Sequence, residues 1–454
     1  MRVLSDRRIL IAICVGIGVV VGAAIASAVL LTVRRPRQVI VEVSSLAPDR
    51  SAVTYRHPVR ATAPTDEAAA VAELERRMKD KPSPYDAGEL AELYLKRAQR
   101  DGDPKDYAAS EAMARRSLEL MPHPNAARLT LARIAAANHH FRRAIELVKE
   151  QFEEKHVGGG YIILATAHLA LGELREAIEA ADVVVEKRPD TEAYLTRALV
   201  LEAQGRDAEA GHDFTRAAAL EVFGNPDDAA RLRALWARFL LRRGEPAGAR
   251  LVLEEAQRLS PRQPLVTAMR AELALRTGDA AGAKKLFEDA FAAGRQVRYL
   301  IDQARAQEVG GDRAGANALR ARVEGIVRQD LEGSAGHRLE LIEVLVEQGA
   351  PAQVEEAIAL GRTELAQRGG AEVRYQLARA LARRPEKPDE AMRQVQQALA
   401  GGVRDARLYE LASHLDARLG NTLRSGVYAY EARRLDPEGS VGTSWRKLGL
   451  GPAL

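Results

Sequence analysis

The sequence holds a single cysteine, Cys14, in 454 residues. A disulfide within the chain is therefore excluded, as is any cysteine-based zinc knuckle. A cysteine-free remainder suits an exported and a cytosolic protein equally. Aromatic residues are scarce at 4%, so the core is not built on large rings and fits helices packed through Ala and Leu. Net charge is small, +4 from 67 basic and 63 acidic residues. The two signs are interspersed, and no basic stripe or recognised nucleic-acid module is present, so nucleic acid is not an expected partner. Catalytic motifs are missing too. None of the nine histidines lies in H-E-x-x-H, and no P-loop, G-x-S-x-G or G-x-G-x-x-G after a strand occurs. The pattern points away from an enzyme and calls for no cofactor or metal. His139 and His140 read as surface residues at an interhelical turn. "HVGGGYI" at 156–162 reads as a flexible connection between units, not a phosphate cradle.

Long apolar runs are also absent, with one exception. Ile9 to Val33 is 25 residues without a charge. At ~1.5 Å per residue that length crosses a ~30 Å hydrocarbon core. Arg2, Arg7 and Arg8 precede it, and Arg34, Arg35 and Arg37 close it. A cleaved signal peptide is the alternative, supported by Ala26-Ser27-Ala28. "VLLTV" continues the run past that site, which favours an uncleaved anchor over residues 1–37. Both flanks carry three arginines, so the positive-inside rule barely votes on orientation. A short N-terminus ahead of a large C-terminal part resembles a bacterial signal-anchor arrangement. That resemblance implies an inner-membrane protein with its bulk outside the cytoplasm, a periplasmic solenoid. A free periplasmic form after cleavage and a cytoplasm-facing form remain the alternatives. Residues 38–65, rich in Pro, Ser and Thr, read as a linker.

From Asp66 a helical pattern runs almost without interruption. It repeats. Ala144, Ala177, Ala210, Ala249, Ala283, Ala316, Ala357, Ala391 and, as a serine, Ser425 recur at steps of 33, 33, 39, 34, 33, 41, 34 and 34. The two long steps contain the loop-like insertions "EVFGNP" and "LEGSAG". A chain of this length is too long for one compact core, and an array of repeats solves that problem. Glycines between the paired helices, Gly172, Gly205, Gly244, Gly278, Gly311, Gly349 and Gly420, suit the φ > 0 that ends many helices. The small residues let helices approach closely, and a larger residue four positions after each repeated alanine fills the space between units.

The period and its residues resemble the tetratricopeptide repeat family over about residues 86–437. Trp236, Ala237 and Leu240 stand at its L-G-Y positions in one unit, and Leu164, Ala165 and His168 in another. Ala210 with Phe214, and Ala283 with Phe287, give its A-x3-F element. Pro122, Pro189, Pro261 and Pro437 end units. The resemblance implies an all-α solenoid of about ten helix-turn-helix units over 66–437, with residues 66–81 capping its start. Residues 438–454, with Trp445, are expected to cover the last unit. N-terminally anchored repeat proteins of lipopolysaccharide control are similar, but they end in a four-cysteine module that this chain lacks.

In that family the concave groove is lined largely by the first helix of each unit. Mapped onto this chain, the position after the small residue gives Arg133, Arg238, Arg305 and Arg379. Further along the same face come Arg242, Arg276 and Arg383. Guanidiniums in a row suit carboxylates or phosphates. The family's carboxylate clamp also needs asparagines that are missing here, so recognition of a peptide C-terminus is not implied. The bland alternative is that these arginines pair with local carboxylates, Glu272 and Glu308 among them. The expected function is a membrane-anchored scaffold binding a protein or peptide partner, with the arginine row favouring an acidic one, in bacterial envelope assembly. A cytoplasm-facing adaptor or regulator of a membrane enzyme is the alternative. The anchor is tested directly: the full chain should stay with membranes through an alkaline wash, and a mature N-terminus at Val29 would identify a cleaved signal instead.

Overall fold

The computed structural model describes residues 67–437 apart from 102, 123–124, 155–157, 222–225, 332–337 and 387. The segment at 9–33, the linker and the tail at 438–454 lie outside these residues. Among the described residues no helix is long and apolar enough to cross a membrane, and every regular element is helical. A lone helix, α1 (Glu67–Asp80), precedes ten hairpins. These are α2 (Pro84–Asp101) with α3 (Pro104–Leu120), α4 (Ala127–Ala137) with α5 (Phe141–Glu154), and α6 (Gly158–Leu171) with α7 (Leu174–Lys187). Next come α8 (Thr191–Ala203) with α9 (Asp207–Ala219), α10 (Pro226–Arg242) with α11 (Pro246–Leu259), and α12 (Pro264–Arg276) with α13 (Ala280–Gly294). The last four are α14 (Val297–Val309) with α15 (Arg313–Leu331), α16 (Arg338–Gln348) with α17 (Pro351–Gln367), α18 (Ala371–Ala382) with α19 (Pro388–Ala400), and α20 (Ala406–Arg418) with α21 (Thr422–Leu435). This is the all-α array of helical hairpins that the motif spacing implied.

Local chemistry sets the boundaries. Several helices open on proline, whose fixed φ and missing N–H suit the first helical position. Asp103, ahead of the proline-led α3, and Asp190, Asp279 and Asp405 cap helices by accepting a backbone N–H from the first turn. All seven hairpin-turn glycines named above have positive φ. In the turn between α4 and α5, His139 takes that left-handed place, at φ 60°. It is a turn-forming residue, not the incidental one expected. Gly158–Gly160 form the first turn of α6, not a loose connection. A Cβ on Gly160 would fall 2.5 Å from the Phe152 ring, so glycine there permits close helix packing.

The repeated alanines form the contact between hairpins. Ala144, Ala177, Ala210, Ala249, Ala283, Ala316, Ala357 and Ala391 are each 0% exposed. Four residues on, Val148, Ala181, Phe214, Leu253, Phe287 and Val395 are buried as well. Two units depart from the pattern: Arg320 and Gly361 occupy that position in α15 and α17. Successive first helices touch one another, as α6 does α8 and α10 does α12, whereas second helices make no comparable contact. The first helices therefore line the inside of the curve.

The curve closes on itself. Gly172, in the turn between α6 and α7, lies against Gly370, which precedes α18. Gly205, in the next hairpin turn, lies against Arg404. There the backbone N–H of Arg404 donates to the carbonyl of Ala203 at 3.1 Å. Farther along, Arg276 at the end of α12 comes within 3.8 Å of Asp436 beyond α21, and α2 approaches α13. Two hairpin turns of earlier units thus meet connectors of later ones.

Ala283→Leu should test the inter-unit contact. Three extra heavy atoms cannot fit a site with no exposed surface, and overpacking costs roughly 1–3 kcal/mol. Because units contact mainly their neighbours, hydrogen exchange should rise in α12 to α15 and stay unchanged in α4 to α7.

Candidate functional site

The inward faces of the first helices carry the arginine row. All seven residues lie on first helices or, for Arg383, at the C-terminal cap of one. The structure gives most of them carboxylates from the same array. Arg133 of α4 pairs with Glu92 of α2. Arg238 and Arg242 of α10 share Glu202 of α8, each at 2.9 Å. Arg276 of α12 pairs with Glu272 at 2.6 Å and donates to the carbonyl of Leu241 at 2.8 Å. These contacts tie each first helix to its neighbour or brace it internally. Glu272 thus pairs as the sequence suggested, whereas Glu308 takes Arg320.

The densest cluster sits where α14, α15, α16 and α18 meet. Arg305 binds Glu343 and, at 2.8 Å, Glu347, both on α16, with Asp302 of its own helix at 3.2 Å. Arg298 reaches Glu343 at 2.7 Å. Arg320 pairs with Glu308 and with Glu347 at 3.2 Å. Arg379, only 2% exposed, stands 3.6 Å from both Glu343 and Glu347. Glu347 is 0% exposed. Burial pushes both glutamates toward the neutral form, but the surrounding guanidiniums outweigh it and hold them below the usual carboxylate range. A buried ionic cluster of this kind tolerates loss of no single partner, because a remaining charge would be stranded.

The sequence reading found the arginines of this cluster at 305 and 379 but missed Arg298, Asp302, Arg320, Glu343 and Glu347. Two signals were available. Arg320 stands in the slot that Phe214 and Phe287 fill elsewhere. Glu343 and Glu347 lie one helical turn apart, flanking the apolar "VLV" of "LELIEVLVEQ".

A second line of contacts runs along the inner face. Arg407 of α20 stacks over the ring of Tyr375 at 4.8 Å, and Arg379 approaches the same ring at 5.7 Å. Asp405 holds Arg407 at 2.7 Å, with Glu372 at 2.9 Å. Burial raises the Asp405 pKa, but Arg407 overrides it, and the net effect is a fall to about 2. At the two ends of this line cationic charge exceeds its carboxylates. Burial lowers the Arg242 pKa, Glu202 opposes that, and Arg238 and Arg407 reinforce it. Its side chain is nevertheless 49% exposed, so it faces open space enclosed by the curve. Burial likewise lowers Arg383, with Arg379 adding to the effect and Glu347 resisting it through space. Arg383 makes no ion pair with a described carboxylate.

Among the described residues no group of three or more His, Cys, Asp or Glu side chains could hold a metal ion. A cavity of about 280 Å³ on the array, lined by Asp182, Arg197, His212 and Asp213 among others, is occupied by an internal pair, Arg197 with Asp213 at 2.6 Å.

No protein-family model matches the chain, and no curated protein matches it. Similar solved structures include a tetratricopeptide repeat protein from Parabacteroides merdae, 16% identical over 52% of this chain and 93% of that one, with a TM-score of 0.38. Yeast Tom70 is 12% identical over 84% of this chain and 92% of its own, at 0.40. The human IFIT1 dimer with PPP-AAAA is 14% identical over 83% and 96%, at 0.44. With TM-scores this low, no conclusion about this chain's partners rests on them.

Asp302 supplies a pH test. Burial pushes its carboxyl up to about 6, against the pull of Arg298 and Arg305 and with the help of Glu343 and Glu272. A raised acid binds its proton more tightly folded than unfolded. Its contribution to stability is therefore full below about pH 4 and is lost as pH rises through about 6. Asp302→Asn should flatten that fall in urea midpoints between pH 4 and 6. An unchanged slope would show that Asp302 titrates normally.

Proposed function

We propose that the chain is a membrane-tethered helical-repeat scaffold whose inner arginine face receives an acidic segment of a protein partner. The observation that carries this reading is the imbalance of charge on that face. Among the described residues Arg242 shares its ion-pair partner Glu202 with Arg238 and meets Asp405 and Arg407 only through space, and Arg383 makes no direct ion pair. The Arg242 side chain is half exposed, within reach of a ligand. An incoming carboxylate would complete the compensation through a charge-assisted contact. Arg133, Arg238, Arg276, Arg305 and Arg379 serve this reading differently. Their carboxylates are already within the array, and they rigidify the face that presents the two unsatisfied cations. The uncharged run at 9–33 supplies the tether and supports a place at the bacterial inner membrane, with the array on the periplasmic side. The reading assigns no catalytic step and no cofactor to the chain.

The test uses the full chain in detergent and a fluorescent deca-glutamate peptide. Binding should weaken as salt rises, because the Debye length is only ~8 Å at physiological ionic strength. Arg242→Glu with Arg383→Glu should lower affinity about tenfold or more, since two charge-assisted contacts contribute on the order of 1.5–3 kcal/mol each. Arg250→Glu with Arg258→Glu changes charge equally on second helix α11 and should leave affinity within about twofold if the contact is local. Equal losses from both pairs would reduce the effect to net charge and remove the inner face from the mechanism.

A further inference from the structure

Among the described residues the exposed large apolar side chains are Tyr85, Leu423, Val427 and Tyr430. The last three lie on α21, at 89%, 60% and 60% exposed. Spacings of four and three residues put them on one face of that helix. No residue of α21 is buried, so the stripe is not the edge of a core. A single exposed apolar residue is ordinary, but a row of them marks a contact.

The register shows which face this is. Ser425 holds the place of the repeated alanine in α21, so the stripe falls two before it, two after it and five after it. In α7 those positions are Arg175, Glu179 and Asp182, and in α19 they are Asp389, Arg393 and Gln396, all exposed. They face outward, on the outside of the curve. The positions that enter the shared core are different. One and eight residues after the alanine, Ile358 and Leu365 of α17 and Met392 and Leu399 of α19 pack into the buried cluster. In α21 these are Gly426 and Arg433, both exposed. The end of the array is thus not prepared for a further hairpin. Its outer face instead carries apolar side chains where α7 and α19 carry polar ones.

Cations border the stripe. Arg424 is half exposed and held by Asp416 at 2.5 Å. Arg434 is half exposed and pairs with Glu431 at 2.9 Å. Arg433 is exposed. The helix therefore sets three arginines against one glutamate. A convex helix face offers no groove to a peptide. Three side chains also fall well short of the ~800 Å² per partner that a stable dimer buries. Apolar side chains between guanidiniums, with a tyrosine among them, match the boundary between acyl chains and anionic headgroups. Phosphate oxygens would accept from the arginines while Leu423 and Val427 enter the apolar layer.

We infer that the outer face of α21 docks on an anionic lipid surface. The inference is separate from the inner arginine face and takes from the reading above only the tether at 9–33. A stripe this small holds a membrane weakly alone, since stable attachment takes two signals. Joined to a membrane anchor, it becomes an intramolecular contact at high effective concentration.

The experiment reconstitutes the full chain in vesicles of brominated phosphatidylcholine, with about 30% phosphatidylglycerol or with none. Tyr430→Trp places a fluorescent reporter in the stripe. Tyr85→Trp, at a position 73% exposed, is the control off it. Bromine quenches only a ring that enters the acyl layer. After subtraction of the unsubstituted chain, the reporter at 430 should lose about half of its emission in the anionic vesicles, and the one at 85 should lose none. The loss should shrink without phosphatidylglycerol and as salt rises. Leu423→Glu with Val427→Glu, both at exposed positions, should abolish it without changing thermal unfolding. An unquenched reporter at 430 in anionic vesicles that retain the chain would overturn the docking while the tether stands. A chain that washes off the vesicles would overturn the tether, and the same chain added to preformed anionic vesicles then decides the docking by the same quench. Equal quenching at 430 and 85 would reduce the contact to general adsorption and overturn the docking. Quenching that needs removal of residues 438–454 would give the face to the chain's own tail, and emission that follows protein concentration and not bromine would give it to a second copy. Either result would overturn the inference.

Discussion

Everything in this array follows from one steric constraint, the approach of helices at alanines that have no exposed surface. A second helix bearing Ala249 or Ala283 can sit almost against its neighbours because no side chain intervenes. Stacked at that separation, each hairpin shares its apolar face with the next, and stability accumulates between neighbours. A constant small residue in every unit also repeats the same rotation between units. Repeated rotation curves the array, and enough units bring its early turns against its late connectors. The seam at Gly172 and Gly370 is thus a distant consequence of the alanine spacing, with glycine permitting the last approach.

Curvature has an electrostatic consequence. Side chains on the inside of a curve converge, so arginines carried one per unit come together as the units stack. Like charges at that spacing would repel in a poorly hydrated channel. The array answers with carboxylates on neighbouring first helices: Glu92, Glu202, Glu343 and Glu347 each meet an arginine from another unit. The compensation is densest where the packing rule is broken. Arg320 replaces the aromatic or aliphatic filler, and its charge is met by Glu308 and Glu347. Ionic contacts there do the joining that Phe214 and Phe287 do elsewhere. They are also more specific, since the donors of a guanidinium accept only one arrangement of oxygens.

The repeat, the ten hairpins and the left-handed turn glycines were legible in the sequence because each depends on local spacing. Ala and Gly recur at a period that short-range sterics dictate, and the backbone obeys it. That the seven arginines lie on or at the end of first helices was legible for the same reason. Their partners were not. Glu347 finds Arg305 across 42 residues and Arg320 across 27, distances set by how units stack and not by any motif. His139 was placed at its turn, but its left-handed backbone was not legible, because a histidine spells nothing about φ. Gly158–Gly160 misled because a glycine run reads as a loop, while the demand here came from the Phe152 ring. The seam was beyond reach of any local rule, since it depends on the summed rotation of several units.

Self-compensation changes what the inner face can be. A groove of bare arginines would bind anions without discrimination, and at millimolar small-ion concentrations it would be occupied. An inner face whose cations are nearly matched by its own carboxylates excludes weak anions, because each would have to displace a preformed, desolvated pair. On the function proposed above, a ligand that brings several carboxylates at the spacing of the units would exchange with several of them at once. The residual excess at Arg242 and Arg383 marks where such an exchange would begin with least loss. These two positions lie at the turn ends of α10 and α18. The contact at Arg404 brings Asp405 and Arg407 into the field of the first of them.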